Sequence, residues 1–186
     1  MLGYTRAVMA TGDAALTRLR SLIRDVPDFP RPGIIFKDIT ALLGDAGALR
    51  DAVDLMAAPY RDSGIEIVAG VESRGFILGG AVAYVLNAGF APVRKKGRLP
   101  GTTISIAYEL EYGEAVLEMH ADAIVSEQRV LVVDDLLATG GTASAAASLV
   151  EQMGGHVVGL AFLIELAQLG GAAALGSRPY TTVLHL

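Results

Sequence analysis

The feature that most constrains the fold is an alternation of short, almost continuously apolar stretches with segments of helical periodicity. The apolar stretches cover residues 65–71, 90–93, 129–133 and 157–164, and the helical segments among them cover residues 76–86 and 142–153. Strands that are apolar along their whole length are buried on both faces, which is typical of a parallel sheet covered by helices. We therefore predict an α/β fold with a mostly parallel central sheet.

Other stretches flank this alternation. Residues 13–26 and 47–62 repeat apolar side chains at helical spacing, so we predict a helix in each. Between them, PDFPRPG contains three prolines and is predicted to be an ordered, extended connection. Residues 104–120 alternate apolar and polar side chains around Gly113, which predicts an antiparallel hairpin outside the main sheet.

Composition narrows the class of protein. A chain of 186 residues favours one domain, and its formal net charge of −5 argues against binding to nucleic acid. Because the chain contains no cysteine, it forms neither disulfides nor thiolate metal sites. No uninterrupted apolar run reaches the roughly 18 residues of a membrane span, and the N-terminus lacks the core of a signal peptide. We expect a soluble, cytoplasmic protein.

The segment VLVVDDLLATGGT, residues 130–142, gives the sharpest indication of chemistry. A buried strand ends in Asp134 and Asp135 at the carboxyl edge of the sheet, where open α/β proteins bind ligands. Gly140 and Gly141 then permit a tight turn into a helix whose first amides can bind an anion. Paired acids beside a phosphate cradle suit a ligand with both a diol and a phosphate, such as a ribose 5-phosphate. Neither a Walker loop nor a GxGxxG motif occurs.

Residues 130–142 resemble the motif of type I phosphoribosyltransferases that binds phosphoribosyl diphosphate (PRPP). Further stretches resemble the adenine phosphoribosyltransferases within that family: PDFPRPGIIFKDIT at 27–40, GVESRGFILG at 70–79, and RKKGRLPG with YELEYG at 94–113. The match runs from about residue 20 to the end of the chain, in the family's order and spacing. The activity that the resemblance implies is purine salvage: transfer of the 5-phosphoribosyl group of PRPP to adenine, which gives AMP and diphosphate.

The resemblance also implies a domain layout. The whole chain, 1–186, would be one phosphoribosyltransferase domain, with a mostly parallel central sheet and helices on both faces. Its additions would be an N-terminal helical segment (about 1–26), a small base-binding hood (27–40), and a flexible loop with an antiparallel hairpin (94–120). The apolar surplus of the chain, 52% hydrophobic residues, and the resemblance both favour a homodimer.

Site residues are carried over by position. The resemblance places the 5-phosphate on a turn composed of Ala138, Thr139, Gly140, Gly141 and Thr142. Asp134 and Asp135 would hold the ribose hydroxyls, directly or through water on Mg²⁺. That ion would bind mainly through PRPP, diphosphate and water, since Mg²⁺ prefers few carboxylates together with phosphate oxygens.

Cationic groups are expected around the diphosphate. The loop of Glu72, Ser73 and Arg74 would bind it, and in the family this loop often contains a cis peptide between the first two of these residues. The basic loop that follows would add Arg94, Lys95, Lys96 and Arg98, and in related enzymes it closes over the site. The position of Arg94 can reach the ligand of a neighbouring subunit.

Adenine contacts are expected from two regions. Main-chain groups around Ile35 and Lys37 would recognise the amino group and N1, while Phe36 and Leu136 would sandwich the ring. Many relatives have arginine in place of Lys37, and lysine suffices for a main-chain contact. Glu111 would assist proton exchange on the purine, with Tyr112 packed beside it. The catalytic set implied by the resemblance is Glu111, Arg74, Asp134 and Asp135.

Two alternatives are disfavoured. Phosphoribosyltransferases for 6-oxopurines typically contact the oxo group with a lysine after the strand at 157–164, and residues 163–171, LIELAQLGG, contain no lysine. PRPP-sensing transcription regulators need a DNA-binding element, which the roughly 25 residues before Pro27 are too few to form. His120, His156 and His185 share no motif, and we interpret each as structural.

Overall fold

The computed structural model describes residues 2–109 and 114–186. The chain divides into two compact units, Met1–Val53 and Asp54–Leu186. The elements of the first unit are α1 (Leu2–Ser21), β1 (Arg24–Pro27), β2 (Ile35–Asp38), α2 (Thr40–Gly44) and the beginning of α3 (Ala46–Ala57). Strands β1 and β2 pair antiparallel as a two-stranded sheet.

Two helix boundaries differ from the sequence prediction. The helix predicted at 13–26 ends at Ser21, and residues from Arg24 form β1 because their backbone pairs with β2. The two strands are joined by residues 28–34, and the helical spacing of apolar residues over 13–26 carried no sign of this pairing. The helix predicted at 47–62 ends at Ala57, where Pro59 turns the chain into a short 3₁₀ helix, Ala58–Tyr60.

The second unit contains a seven-stranded sheet. Its elements are β3 (Ile67–Val71), α4 (Arg74–Leu86), β4 (Gly89–Lys95), β5 (Thr103–Glu109), β6 (Glu114–His120), β7 (Arg129–Leu137), α5 (Gly141–Gln152), β8 (His156–Glu165), the 3₁₀ helices Ala167–Leu169 and Gly171–Leu175, and β9 (Tyr180–His185). The strand order is β5-β6-β4-β3-β7-β8-β9. Strands β4, β3, β7, β8 and β9 run parallel to one another, as predicted, whereas β6 is antiparallel to β4.

The antiparallel hairpin of β5 and β6 is present, but its predicted separation from the main sheet is wrong. Strand β6 pairs with Arg94 and Lys95 at the end of β4, so the hairpin extends the sheet. The reason is that β4 continues for two residues beyond its apolar run. Their charged side chains obscured the strand in the sequence, although their backbone still pairs.

Helices cover both faces of this sheet, which confirms the predicted layers. On one face, buried residues of α5 such as Ala146 and Leu149 form a core with Val130 and Val132 of β7. On the other face, Gly79 of α4 approaches Gly70 of β3 closely. Among the described residues, no helix has the length and apolar character needed to cross a membrane.

Candidate active site

A cavity of about 500 Å³ opens beside the carboxyl ends of β3 and β7. These strands are adjacent and in register, with Gly70 paired to Val133. The loop that follows β3 therefore lies next to the two acids of β7. Residues 72–74, 134–140, Lys95 and Tyr108 contribute to the lining, so segments that are distant in sequence meet at this cavity.

The two acids differ in their surroundings. Both lie within β7 rather than beyond its end, because β7 continues to Leu137 in register with β8. Asp135 is only 5% exposed, and its Oδ2 accepts a 2.5 Å hydrogen bond from Nε of Arg74. The backbone amide of Asp135 donates to Oδ1 of Asp134 at 2.8 Å. The buried charge of Asp135 is thus neutralised by Arg74.

A negative charge on Asp134 is unfavourable, because its carboxyl is buried beside the charged Asp135. Burial of its carboxyl raises the pKa of Asp134 well above the usual range, and the neighbouring charge of Asp135 raises it further. The amide of Asp135 and the charge of Arg74 act in the opposite direction but do not outweigh these effects. A ligand that brings hydroxyl donors or a cation to this carboxylate would remove part of that cost.

Asp134 and Asp135 form a small donor set of the kind that Mg²⁺ uses. Within the part of the chain that the structure describes, no three His, Asp or Glu side chains cluster in a way that could hold a metal. Mg²⁺ is commonly held by one or two carboxylates together with substrate phosphates and water. Asp134 and Asp135 provide that smaller donor set beside the cavity.

The phosphate turn, residues 138–142, connects β7 to α5. Gly140 has φ 81°, in the left-handed region, and caps the helix that begins at Gly141. No side chain caps this helix, and the amides of a first helical turn have no intrahelical acceptor. All five predicted phosphate-binding residues lie in this turn, with Ala138, Thr139, Gly140 and Thr142 lining the cavity.

Tyr108 lines the cavity, although no sequence motif indicated it. Its hydroxyl lies 3.1 Å from Oγ1 of Thr142, and its side chain lines the same cavity. The pattern in which Ile104, Ile106 and Tyr108 alternate with polar residues was a usable signal, because all three pack against the core. The hairpin therefore contacts the phosphate turn through this residue.

The loop after β3 is linked to the basic loop by an ion pair. The peptide between Glu72 and Ser73 is cis. Glu72 accepts two hydrogen bonds of 3.2 Å from the guanidinium of Arg94 and another from the amide of Lys95. The hydrogen bond from Arg94 is the main reason that the pKa of Glu72 lies below its usual value.

The predicted cations are not all brought to the cavity. Arg74 and Lys95 line it, whereas Arg94 lies behind Glu72 with its guanidinium 5.9 Å from the ring centroid of Phe76. Arg98 is exposed and outside the lining, and its carbonyl oxygen accepts a hydrogen bond from Arg94. Lys96 is exposed as well.

Glu118 of β6 anchors the basic loop, a role that no sequence motif indicated. It is 3% exposed and accepts hydrogen bonds from the amides of Arg98 and Leu99, at 2.8 and 2.9 Å, and from the hydroxyl of Thr103. Although burial acts to raise its pKa, these hydrogen bonds bring the pKa of Glu118 below the usual value. The carboxylate therefore remains charged and fixes the loop backbone.

The predicted base-binding residues of the first unit lie on β2. Ile35 is 54% exposed, which is unusual for a large apolar side chain in a strand. Phe36 packs edge-to-face against Phe29, with ring centroids 5.2 Å apart. The amine of Lys37 donates a 2.7 Å hydrogen bond to Asp25. The Lys37 side chain is thus bound to Asp25 within this unit. The predicted contact of Lys37 with adenine uses main-chain atoms and does not need this side chain.

The remaining predictions fall elsewhere. Leu136 lines the cavity in the second unit. Glu111 and Tyr112 lie outside the described residues. His120 ends β6, His156 begins β8 and His185 ends β9, and none of the three lines the cavity.

The fold and the site define a phosphoribosyltransferase: a parallel sheet with paired acids leading into a phosphate turn. The family model for the phosphoribosyl transferase domain matches residues 42–174, which is more than half of the chain.

Relatives then identify the particular family. The chain is 58% identical over 160 residues to the adenine phosphoribosyltransferase of Methylobacterium nodulans, which covers 86% of this chain and 88% of that protein. The crystal structure of the adenine phosphoribosyltransferase from Rhodothermus marinus matches with TM-score 0.91 and 54% identity, over 94% of this chain and 99% of that one. The yeast enzyme in complex with an imino-altritol bisphosphate and adenine matches with TM-score 0.86 and 35% identity, over 92% and 99%. The chain belongs to the adenine phosphoribosyltransferase family.

Proposed function

We propose that the cavity at the carboxyl ends of β3 and β7 transfers the 5-phosphoribosyl group of PRPP to N9 of adenine. The bond between ribose C1 and the diphosphate oxygen breaks, the bond from N9 to C1 forms, and N9 loses its proton. The products are AMP and diphosphate, as purine salvage requires. The observation that carries the proposal is the convergence of Asp134, Asp135 and the phosphate turn on one cavity.

The proposed roles around the sugar phosphate follow from charge and position. The amides and hydroxyls of the phosphate turn donate hydrogen bonds to the 5-phosphate, because a helix N-terminus favours an anion. Asp134 and Asp135 accept hydrogen bonds from the ribose hydroxyls. Since ionisation of Asp134 is unfavourable in the protein alone, these hydroxyls and the cation of the substrate would compensate its charge.

Diphosphate binding is assigned to the part of the cavity lining that the loop after β3 forms, which we call the diphosphate end. Residues 72–74 lie there, and Arg74 and Lys95 contribute positive charge to the lining. We propose that Arg94 and Arg98 add to this charge when the basic loop closes, which requires Arg94 to exchange Glu72 for diphosphate. Mg²⁺ held by PRPP near Asp134 and Asp135 would neutralise charge on the leaving diphosphate.

Adenine recognition is proposed for the hood segment, residues 27–40, and for Leu136. The support in the first unit is exposure: Ile34 and Ile35 are 45% and 54% exposed rather than part of a core. Exposed neighbouring apolar side chains provide a flat surface of the kind that binds a planar base. Glu111 remains the proposed proton-exchange residue, with Tyr112 beside it.

We propose that both units act as one phosphoribosyltransferase domain, since the matched family range 42–174 extends across the boundary at Val53.

We also propose a homodimer. Ile77 and Tyr84 lie two turns apart on α4 and are 50% and 88% exposed, so a second copy would bury them. Sedimentation velocity should show a dimer for the wild-type protein and a monomer for Tyr84→Asp. A wild-type protein that is monomeric at all concentrations would contradict this proposal.

A cytoplasmic location fits the absence of cysteine, and cell fractionation tests it.

The proposed reaction is tested by AMP formation from adenine and PRPP, with and without Mg²⁺. We expect turnover that depends on the ion. Hypoxanthine, guanine and uracil are assayed in parallel at matched concentrations, and we expect little product from each. Turnover of hypoxanthine without turnover of adenine would contradict the assignment of the base.

A further inference from the structure

The phosphate turn touches a second backbone segment, the 3₁₀ helix Gly171–Leu175. A Cβ atom placed on Gly140 would lie 2.2 Å from the carbonyl oxygen of Gly171 and 2.8 Å from Cβ of Ala174. A Cβ atom placed on Gly171 would lie 2.2 Å from the carbonyl oxygen of Ala138 and 3.1 Å from the amide nitrogen of Gly140. Main chain therefore packs directly on main chain, and glycine is required on both sides.

The two glycines differ in why they are required. Gly140 has φ 81°, so a side chain there is opposed by backbone conformation as well as by contact. Gly171 lies in a 3₁₀ helix and outside the left-handed region, so an alanine is allowed by its backbone and opposed by the close contact alone. A substitution at Gly171 consequently tests the contact with the turn.

The far end of this 3₁₀ helix is fixed to α5, the helix that the phosphate turn begins. Leu175 is fully buried in the main core. Arg178, three residues later, donates hydrogen bonds of 2.8 and 2.7 Å to the carboxylate of Glu151 and one of 3.0 Å to the hydroxyl of Ser148. The segment is therefore held at one end by the core and Arg178, and it meets the phosphate turn at the other.

We propose that Gly171 is a positioning residue for the 5-phosphate: its backbone, fixed through Leu175 and Arg178, sets the path of residues 138–140. This inference rests on the proposed function, because it assumes that the turn binds phosphate. Gly171 does not line the cavity, so it acts through the turn rather than on the substrate.

The main test is Gly171→Ala. Real Cβ atoms essentially never lie closer than 3.0 Å to such a neighbour, so the turn must shift by about 1 Å, a displacement that can cost on the order of 100-fold in a positioned site. We expect KM for PRPP and the Kd of AMP, measured by calorimetry, to rise about 10- to 100-fold. KM for adenine should stay within about twofold, because the proposed adenine contacts are made by residues 27–40 and Leu136 and not by the turn.

Gly170→Ala is the matched control. Gly170 is adjacent, has φ 65° and has open space around it, so an alanine strains the backbone without touching the turn. We expect its Tm to fall by about 2–4 °C, with KM for PRPP near the wild-type value. Equal changes in KM for PRPP in the two variants would overturn the proposal.

A second variant keeps the test decisive if Gly171→Ala does not fold. Arg178→Gln releases the segment from α5, and we expect KM for PRPP to rise about three- to tenfold, with KM for adenine unchanged. If the variants fold and their KM for PRPP does not change, the inference is overturned. In that case, turnover by the wild-type protein would still support the proposed function. Failure of the wild-type protein to bind AMP or to form it would instead count against the proposed function.

Discussion

The phosphate turn and the diphosphate end would bind anionic groups by different means. At the phosphate turn, positive potential comes from backbone amides whose direction is fixed by the packing of Gly140 against Gly171. At the diphosphate end, two of the cations already have anionic partners within the chain: Arg74 binds Asp135 and Arg94 binds Glu72. One end is set by backbone geometry, whereas the other must exchange ion pairs when substrate binds.

Because of this difference, we expect the two parts of the site to be sensitive to different substitutions. Amides oriented by packing need no reorganisation, so the phosphate turn should be sensitive to displacements of its backbone. Ion pairs with guanidinium groups about 30% exposed are partly screened, so their exchange for diphosphate is feasible. The diphosphate end should be sensitive to the anchors of its loops and to charge.

The largest effect is expected at the two acids of β7. Replacing both Asp134 and Asp135 with asparagine removes two charged acceptors, each worth about 1.5–3 kcal/mol in hydrogen bonds to ribose. We predict a decrease in kcat/KM on the order of 10²- to 10⁴-fold, measured with adenine and PRPP at saturating Mg²⁺. Retained kcat/KM with extensive unfolding would show that the acids serve the fold instead.

A smaller effect is expected when the basic loop loses its anchor. Glu118→Gln removes the charge that accepts the amides of Arg98 and Leu99, and we predict that KM for PRPP rises about tenfold. Asp122→Asn is the matched control, because it removes the same charge from an exposed position near the end of β6. If the two variants raise KM for PRPP equally, net charge rather than anchoring explains the effect.

At the phosphate end, Tyr108→Phe should raise KM for PRPP about two- to tenfold, the usual worth of one hydrogen bond. The reason is that the Tyr108 hydroxyl orients that of Thr142, 3.1 Å away. We predict that the double variant with Thr142→Val loses less than the sum of the two single changes. Additive losses measured in this cycle would mean that the two hydroxyls act independently.

The smallest effect concerns stability and pH. Because the pKa of Asp134 is raised in the folded protein, the stability tied to its protonated form is complete below the unfolded value near 3.8 and is lost as pH rises through the folded value. Asp134→Asn, which stays neutral, should therefore gain Tm relative to wild type as the pH rises above the unfolded value of Asp134. A difference in Tm that does not change with pH would contradict the raised pKa.

The sheet and the phosphate turn could be predicted because their signals are local. Apolar runs give the central strands, and the sequence ATGGT gives a helix start with positive φ at Gly140. Strand β1 was predicted as helix, because the apolar spacing of residues 13–26 does not show which segment they pair with. The close contact of Gly171 with the turn was invisible for the same reason: LGGAAALG indicates a turn but not what it touches.

The electrostatic partners were the least predictable part of the site. Arg74, Arg94 and Lys95 could be chosen as cations from their motifs, yet nothing local specifies that Glu72 binds Arg94 or that Glu118 holds the loop backbone. Such pairs depend on which strands are neighbours and on register, as in the alignment of Arg94 with Glu118 across β4 and β6. These are properties of the assembled sheet.

The most direct test of the account is a crystal structure of the chain with bound AMP. We predict that the phosphate of AMP accepts hydrogen bonds from the amides of residues 139–142 and that the ribose hydroxyls face Asp134 and Asp135. A phosphate bound at residues 72–74, with the phosphate turn left in contact with solvent, would contradict the central claim.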